Sequence, residues 1–441
     1  MIFKKLRTGM LSLVFFLAGA VFLSGTAFAA NTDKYAPVYT KPLKSSSLKD
    51  PLSALLALPF EMIRWPISKS LLFTEKEYLP KKAEWLYTYL KNHGIQPSIG
   101  FMSGQGMQYG LKLDLPKLSG LQSKYPDFTF DTWVHYGEEI SFRTGAEIGV
   151  ERVAGTPFFV SGFFQYEDRW EDNFFGMGPD TSAGNGVSYG HEQTTVAGKA
   201  GYEFSPEWKG AFHLVYKNNN ISEGESDDWG QLSYFGLNNI PGSGGDKILT
   251  LAADLKNDTR DFRDAPTRGG YRQIYFGYSE GLDDSNASYF TYRADMAQYF
   301  KVGSPRRVLA IRGLAEHHDE INGGNVPFYN MSKLGGYGTL PEQSHTLRSY
   351  HVNRFFGESL LLFNIEYRYT IWEYRELHMD AVPFFDFGQT FGEWSEFQFK
   401  DFKESYGLEF RVYVARNNLV NISIAHGDEG TNFFVRSKKA F

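Results

Sequence analysis

The chain contains no cysteine among its 441 residues. Disulfides are excluded, so an exported form has to be held by its core and its hydrogen bonds. Beyond the first two dozen residues it also lacks any apolar run of the ~20 residues that a membrane-crossing helix needs. Positive charge is not in excess: 45 Lys and Arg stand against 51 Asp and Glu, a net of -6. The basic footprint of a nucleic-acid binder is therefore missing. Tandem repeats and low-complexity tracts are absent. GQGMQYG at 104–110 is glycine-rich, but no helix follows it, so it is not a nucleotide loop. Metal-ligand spacing is absent too.

What the chain does have is aromatic side chains, 17% of all residues, with 27 tyrosines and 45 glycines. Its start has the layout of a secretory signal peptide over 1–29: basic Lys4, Lys5 and Arg7, an apolar run from Met10 to Leu23, and an A-x-A cleavage site at Ala27-Phe28-Ala29. Removing it takes away three positive charges and leaves the mature chain more acidic. An exported, aromatic-rich chain without membrane helices points to an all-β, antiparallel transmembrane β-barrel. Composition alone does not separate that reading from a soluble β-sandwich or propeller; the alternation along the chain has to do so.

Residues 30–98 differ from the rest. Apolar bursts at 52–58 and 60–65 are broken by Pro59 and Pro66. Lys81 to Lys91 predicts a short helix, with Pro80 near its start and Asn92-His93-Gly94 at its end. Ala83, Leu86 and Leu90 give it one apolar stripe. The segment is expected to pack beneath or inside the barrel.

The barrel is expected to occupy 99–441. Alternation predicts strands near 99–114, 127–136, 141–154, 157–169, 192–205, 209–218, 228–236, 248–258, 270–279, 288–301, 306–318, 358–371, 378–391, 404–416, 418–427 and 431–441. That is sixteen, an even count that suits a single-chain bacterial barrel. The longest connection, 319–357, joins the eleventh strand to the twelfth and falls on the extracellular side if Ile99 starts at the periplasmic one. A loop of that length is functional or disordered.

The most informative stretch runs from Thr346 to Tyr369. Within the loop, Leu347-Arg348-Ser349-Tyr350 sets a cation beside an aromatic. From Ser359 the chain alternates: Leu361, Phe363, Ile365, Tyr367 and Tyr369 form one face, Asn364, Glu366 and Arg368 the other. The aromatic face suits lipid, while the charged face needs water or partners. Glu366 is one candidate partner for Arg348, and Asp386, in PFFDFG on the next strand, is another. Asp386 alternates against Phe385 and Phe387 and so shares the inward face.

At these residues the chain resembles a known family. LGGYGTL at 334–340, LRSYHVNRFFGE at 347–358, FNIEYRY at 363–369 and PFFDFG at 383–388 are similar to the C-terminal half of the BamA/TamA family of outer-membrane assembly and translocation barrels, the bacterial surface antigen superfamily. DTRDFRDAPTRGG at 258–270 and NFFGMGPDTS at 173–182 add to the resemblance. It implies a sixteen-stranded barrel whose long loop folds back into the lumen and places an arginine, here Arg348, on acids of the following strands, here Glu366 and Asp386. Leu347, Ser349 and Tyr350 complete the loop motif. The chain departs from the family at Ser349, where the motif has glycine; a conformation with positive φ would be strained there. It departs again at 30–98, which is too short for a row of POTRA domains and is expected to contain none.

The function this implies is assistance to proteins, or lipids, inserting into or crossing the outer membrane, with a weakly closed seam between the first strand and the last, 431–441, as an edge for an incoming strand. The last strand ends in Phe441, and its Lys438-Lys439 pair is unusual there. The alternative is a passive pore or structural barrel constricted by the loop. Outer-membrane lipids and client outer-membrane proteins are the expected partners, without nucleic acid, cofactor or metal. An enzyme is not expected: His317, His318, His345 and His351, placed in the long loop, come with no nucleophile or acid pair.

Overall fold

The computed structural model describes residue 86 and residues 89–102, 106–137, 141–226, 229–283, 285–336, 346–374, 377–414 and 417–436. The expected signal peptide, the apolar bursts of 52–65, His345, Lys438-Lys439 and Phe441 lie outside these residues. Of the helix expected at 81–91, Leu86 and Tyr89–Asn92 are described and are helical. It ends where the His93 amide donates to Tyr89 O, and Gly94, at φ +83°, turns the chain into the first strand.

Sixteen strands then follow one another: β1 (Ile95–Met102), β2 (Gly106–Asp114), β3 (Phe128–Gly137), β4 (Ser141–Val150), β5 (Phe158–Phe174), β6 (Val187–Ser205), β7 (Trp208–Glu223), β8 (Asp246–Asp258), β9 (Gly269–Gly281), β10 (Ser288–Val302), β11 (Ser304–Glu320), β12 (Ser359–Tyr374), β13 (Leu377–Phe391), β14 (Lys403–Val414), β15 (Asn417–Gly427) and β16 (Gly430–Arg436). Each pairs antiparallel with the next, and the ladder returns to its start where Met102 of β1 faces Arg436 of β16. One further strand of the same sheet, Gly230–Gln231, is only two residues long and pairs in parallel with β6.

Two strand expectations need correction, and they cancel in the count. The stretch 99–114 is not one strand but the hairpin β1–β2, beginning four residues earlier. Both arms keep period 2, so the pattern runs on through the turn. The strand expected at 228–236 is extended only at Gly230–Gln231 and continues as 3-10 turns at Leu232–Phe235 and Leu237–Asn239. Its apolar residues serve a different purpose. Leu232 packs inside against Phe174, Tyr189 and Phe328. The long loop still joins the eleventh and twelfth strands, but strands between the two errors shift by one in rank. Connections 175–186 and 224–245 therefore lie at the same end as the long loop, and 151–157 at the opposite end. Histidines 317 and 318 also move: both belong to β11, and His317 faces outward, 6.3 Å from the Tyr292 ring.

Alternation sorts each strand into two environments. On β12, Leu360, Leu362, Asn364 and Glu366 are buried inside, while Phe363, Ile365 and Tyr369 remain exposed outside. The interior at the long-loop end is packed rather than open. Short strands Ser332–Leu334 and Phe355–Gly357 pair with each other, so the loop enters as a hairpin. Its Leu334, Leu347, Tyr350 and Phe355 form a core with Leu314, Leu360 and Leu362 of the wall. This apolar burial brings residues 346–353 against β12–β14, and it stabilises by about 25 cal/mol per Å² removed from water.

An arginine cluster on the inner wall

Inward positions on β12, β13 and β14 come into register as one patch. Asn364 pairs with Asp386, Glu366 with Phe384, and Asp386 with Ser405. Arg348 descends onto it. Its Nε lies 3.0 Å from Asp386 Oδ2 and its Nη2 lies 3.0 Å from Asp386 Oδ1, a bidentate fork. Nη2 also donates to Glu366 Oε1 at 2.8 Å, and Nη1 to Glu409 Oε2 at 3.2 Å. The guanidinium carbon sits 3.8 Å above the Phe384 ring. A planar, delocalised cation can meet three carboxylates around its edge and an aromatic at its face together, which a lysine ammonium cannot.

The sequence-derived residues Arg348, Glu366 and Asp386 are thus brought together, each at 0% exposure. Leu347 anchors in the loop core and Tyr350 meets Phe355 edge-on, with ring centroids 5.3 Å apart. Sequence reasoning missed the remaining members. Arg411 reaches Glu366 Oε1 and Glu409 Oε1, each at 2.5 Å, and Arg368 reaches Glu366 Oε2 at 2.8 Å. Asn364 Nδ2 donates to Asp386 Oδ1 at 2.8 Å and to Thr346 O at 3.0 Å. Glu409 and Arg411 share the charged face of their strand just as Glu366 does of its own, and that was the signal available. Three guanidiniums and three carboxylates balance, which is what makes so much buried charge tolerable.

Ser349 does not adopt the conformation that glycine would be needed for: the described non-glycine residues with positive φ are Ala154, Asn286, Asn322 and Asn353. Its amide donates to Ser405 Oγ at 2.8 Å, and its carbonyl accepts from Asn432 Nδ2 of β16. Room for its side chain comes from the wall. A Cβ on Gly427 would collide with Ser349 Oγ and lie 2.6 Å from Glu404 O. Gly427→Ala is therefore expected to destabilise by ~1–3 kcal/mol, the usual cost of overpacking, read as a lower unfolding midpoint in detergent. Ser349→Gly in the same chain should restore only the part due to the serine side chain, because the contact with the Glu404 carbonyl remains.

A second buried arginine ties the loop to other parts of the rim. Arg354 donates through Nε to Glu429 Oε1 at 2.8 Å, in the β15–β16 turn, and through Nη1 to Thr181 Oγ1 at 2.7 Å, in the β5–β6 connection. Its Nη2 bonds the Thr181 carbonyl, and its guanidinium carbon lies 4.5 Å from the Phe355 ring and 4.9 Å from the Phe175 ring. Tyr350 Oη lies 3.4 Å from Asp428 Oδ2 in the same turn. Between residues 348 and 354 the loop therefore touches β12–β14, the last hairpin and the far rim.

The chain rejoins the wall at Glu358. Burial, and then the carboxylates of Glu320 and Glu393, push its carboxyl up from 4.5 to about 7. The folded protein holds a proton there that the unfolded chain has released, so this part of its stability falls as pH rises from about 4.5 to about 7. Glu358→Gln should stabilise by about 1 kcal/mol at pH 8, solvent screening of a partly buried site having reduced the larger figure. It should be neutral near pH 4, as unfolding midpoints at the two pH values would show.

The Omp85 superfamily domain matches residues 136–420. The chain belongs to the Omp85 superfamily. Outer membrane protein assembly factor BamA of Nitratidesulfovibrio vulgaris (strain Hildenborough) is 26% identical over 198 residues, 42% of this chain and 24% of that protein. The match thus spans about a quarter of the relative's own length. Among solved structures, BamA from Haemophilus ducreyi lacking POTRA domains 1-3 superposes with a TM-score of 0.57 at 14% identity, covering 81% of this chain and 78% of that one, a likeness of fold. The chain is thus an Omp85 outer-membrane barrel of the BamA/TamA type, and the part matched by the family includes the whole arginine cluster on its wall.

Proposed function

We propose that this Omp85 barrel assists the insertion or translocation of proteins, or of lipids, at the outer membrane, and that the loop 321–358 works as a latch whose key contact is Arg348 on Glu366, Asp386 and Glu409. The observation that supports the reading is the loop's double attachment. One arginine is buried on β12–β14, while Arg354 and Ser349 hold the β15–β16 hairpin and its last strand. A loop bound to both can couple release of the latch to freedom of the terminal strand. An unpaired strand edge then templates an incoming strand through main-chain hydrogen bonds. In this reading the latched state, with Leu334, Leu347, Tyr350 and Phe355 packed on the wall, is the resting one.

Deletion of the protein tests the function. The outer-membrane protein and lipid inventories of the deleted strain should lose a definable set of clients, and Arg348→Ala should reproduce the loss. Unchanged inventories, together with a steady, sizeable single-channel conductance from the purified barrel, would establish a passive pore instead.

A further inference from the structure

The β13–β14 connection, 392–402, carries aromatic rings out of the wall and onto its outer surface. Phe391 follows Phe385 and Phe387 on the outward face of β13, yet it is only 1% exposed. Trp394 and Phe397 cover it, with ring centroids 5.2 and 5.5 Å away. Phe402 closes the other side, 6.0 Å from Phe397 and 5.7 Å from Phe387. Phe387 in turn stacks at 5.0 Å on Phe363 of β12, one of the exposed outward rings of the barrel. In the opposite direction Trp394 lies 5.8 Å from His317 of β11. The loop is therefore an extension of the outward aromatic face across β11–β14, not a separate structure.

Two short 3-10 turns, Trp394–Glu396 and Phe399–Asp401, hold this loop in place, and it ends with Trp394 50% exposed and Phe399 83% exposed. A phenyl ring that open is unfavourable in water, and the inward-packed β11–β12 loop shows that this rim can hide its rings. Glu393, Glu396, Lys400 and Asp401 border the rings. Rings beside charges suit the boundary between acyl chains and headgroups, where aromatic girdles of barrels lie.

We propose that residues 392–402 form a membrane-interface anchor, lying along the outer wall at the long-loop end with Phe399 inserted among the lipids of that leaflet. Continuity with the lipid-facing rings of β12 and β13 favours lipid over a protein partner. The anchor would fix β13 and β14, which carry Asp386 and Glu409, relative to the bilayer.

Because the chain has no cysteine, a single Phe399→Cys change gives a unique label position on the full-length protein. Asn238→Cys, an exposed polar residue in the β7–β8 connection at the same end, is the control. Each variant is labelled with an environment-sensitive fluorophore and placed in vesicles of phosphatidylethanolamine and phosphatidylglycerol. The probe at 399 should be quenched several-fold more than the probe at 238 by nitroxide-bearing lipids, and shielded from aqueous iodide. Equal iodide access at both positions with no lipid quenching at 399 would overturn the proposal and leave the patch to a protein partner. Both variants must show the parent's heat-dependent gel shift, so that a misfolded barrel is not read as an outcome.

Discussion

Arg348→Ala is expected to leave a folded barrel with a freed loop. The substitution removes one cation from a balanced cluster and leaves Glu366, Asp386 and Glu409 facing only two guanidiniums. Breaking a buried ion pair from one side costs ~3–5 kcal/mol. That loss falls mainly on docking of the loop, because the sixteen-strand ladder keeps its own backbone bonds. The opened loop admits water, which rehydrates the three acids. External protease should then cut within 321–358 at least ten times faster than in the parent, while the gel shift of the folded barrel persists. Arg348→Lys should recover only part of the protection, since an ammonium cannot reproduce the fork on Asp386. For a charge swap, Asp386 is the partner to use. An arginine at 366 would face Arg368 and Arg411 as well, whereas Arg348→Asp with Asp386→Arg exchanges one bidentate pair. If Arg348→Ala changes neither protection nor function, the latch does not exist.

The second large effect is expected at Glu366, and it should fall on the barrel itself. This carboxylate is shared by Arg348, Arg368 and Arg411, at 2.8, 2.8 and 2.5 Å. Asp386 serves Arg348 and Asn364. Glu366→Ala therefore leaves three buried guanidiniums with two acids, Asp386 and Glu409, between them, and two of the cations, Arg368 and Arg411, sit on the wall, where they cannot leave with the loop. It should lower the temperature of the folded-to-unfolded gel transition more than Asp386→Ala does, by about 3–5 kcal/mol of stability. Glu366→Gln, which keeps an acceptor but not the charge, should fall between. Combined with Arg348→Ala the loss should be less than additive, because the double variant has one fewer cation to strand. Equal losses for Glu366→Ala and Asp386→Ala would show that Glu366 is no hub.

Much of this was legible in the sequence because a strand in a barrel has two unlike sides. Period-2 alternation placed Glu366 and Asp386 inward with Phe363 and Phe387 outward, and the family motif singled out Arg348. Alternation carries less information where a turn keeps the same period, so β1 and β2 merged into one expected strand. It also fails where apolar residues pack inside the lumen without a strand, as at Leu232. Glu409 and Arg411 were visible as inward charges, but nothing local says that a third strand lies within reach of a loop some sixty residues away. That contact is set by register, Glu366 opposite Phe384 and Val382 opposite Glu409. The exchange of glycine between loop and wall, Ser349 against Gly427, is likewise a property of the packed pair and of neither segment alone.

The balance of the cluster has an electrical side. Latched, three positive and three negative groups cancel, and the inner wall at β12–β14 presents a field that dies away within a few ångströms. Were the loop released as proposed, Arg348 would leave with it, and Arg368 and Arg411 would no longer match Glu366, Asp386 and Glu409. Releasing the loop thus turns a neutral patch of wall into an anionic one. Open barrels should pass cations in preference to anions, and the field of the exposed acids draws Arg348 back when the passage is empty.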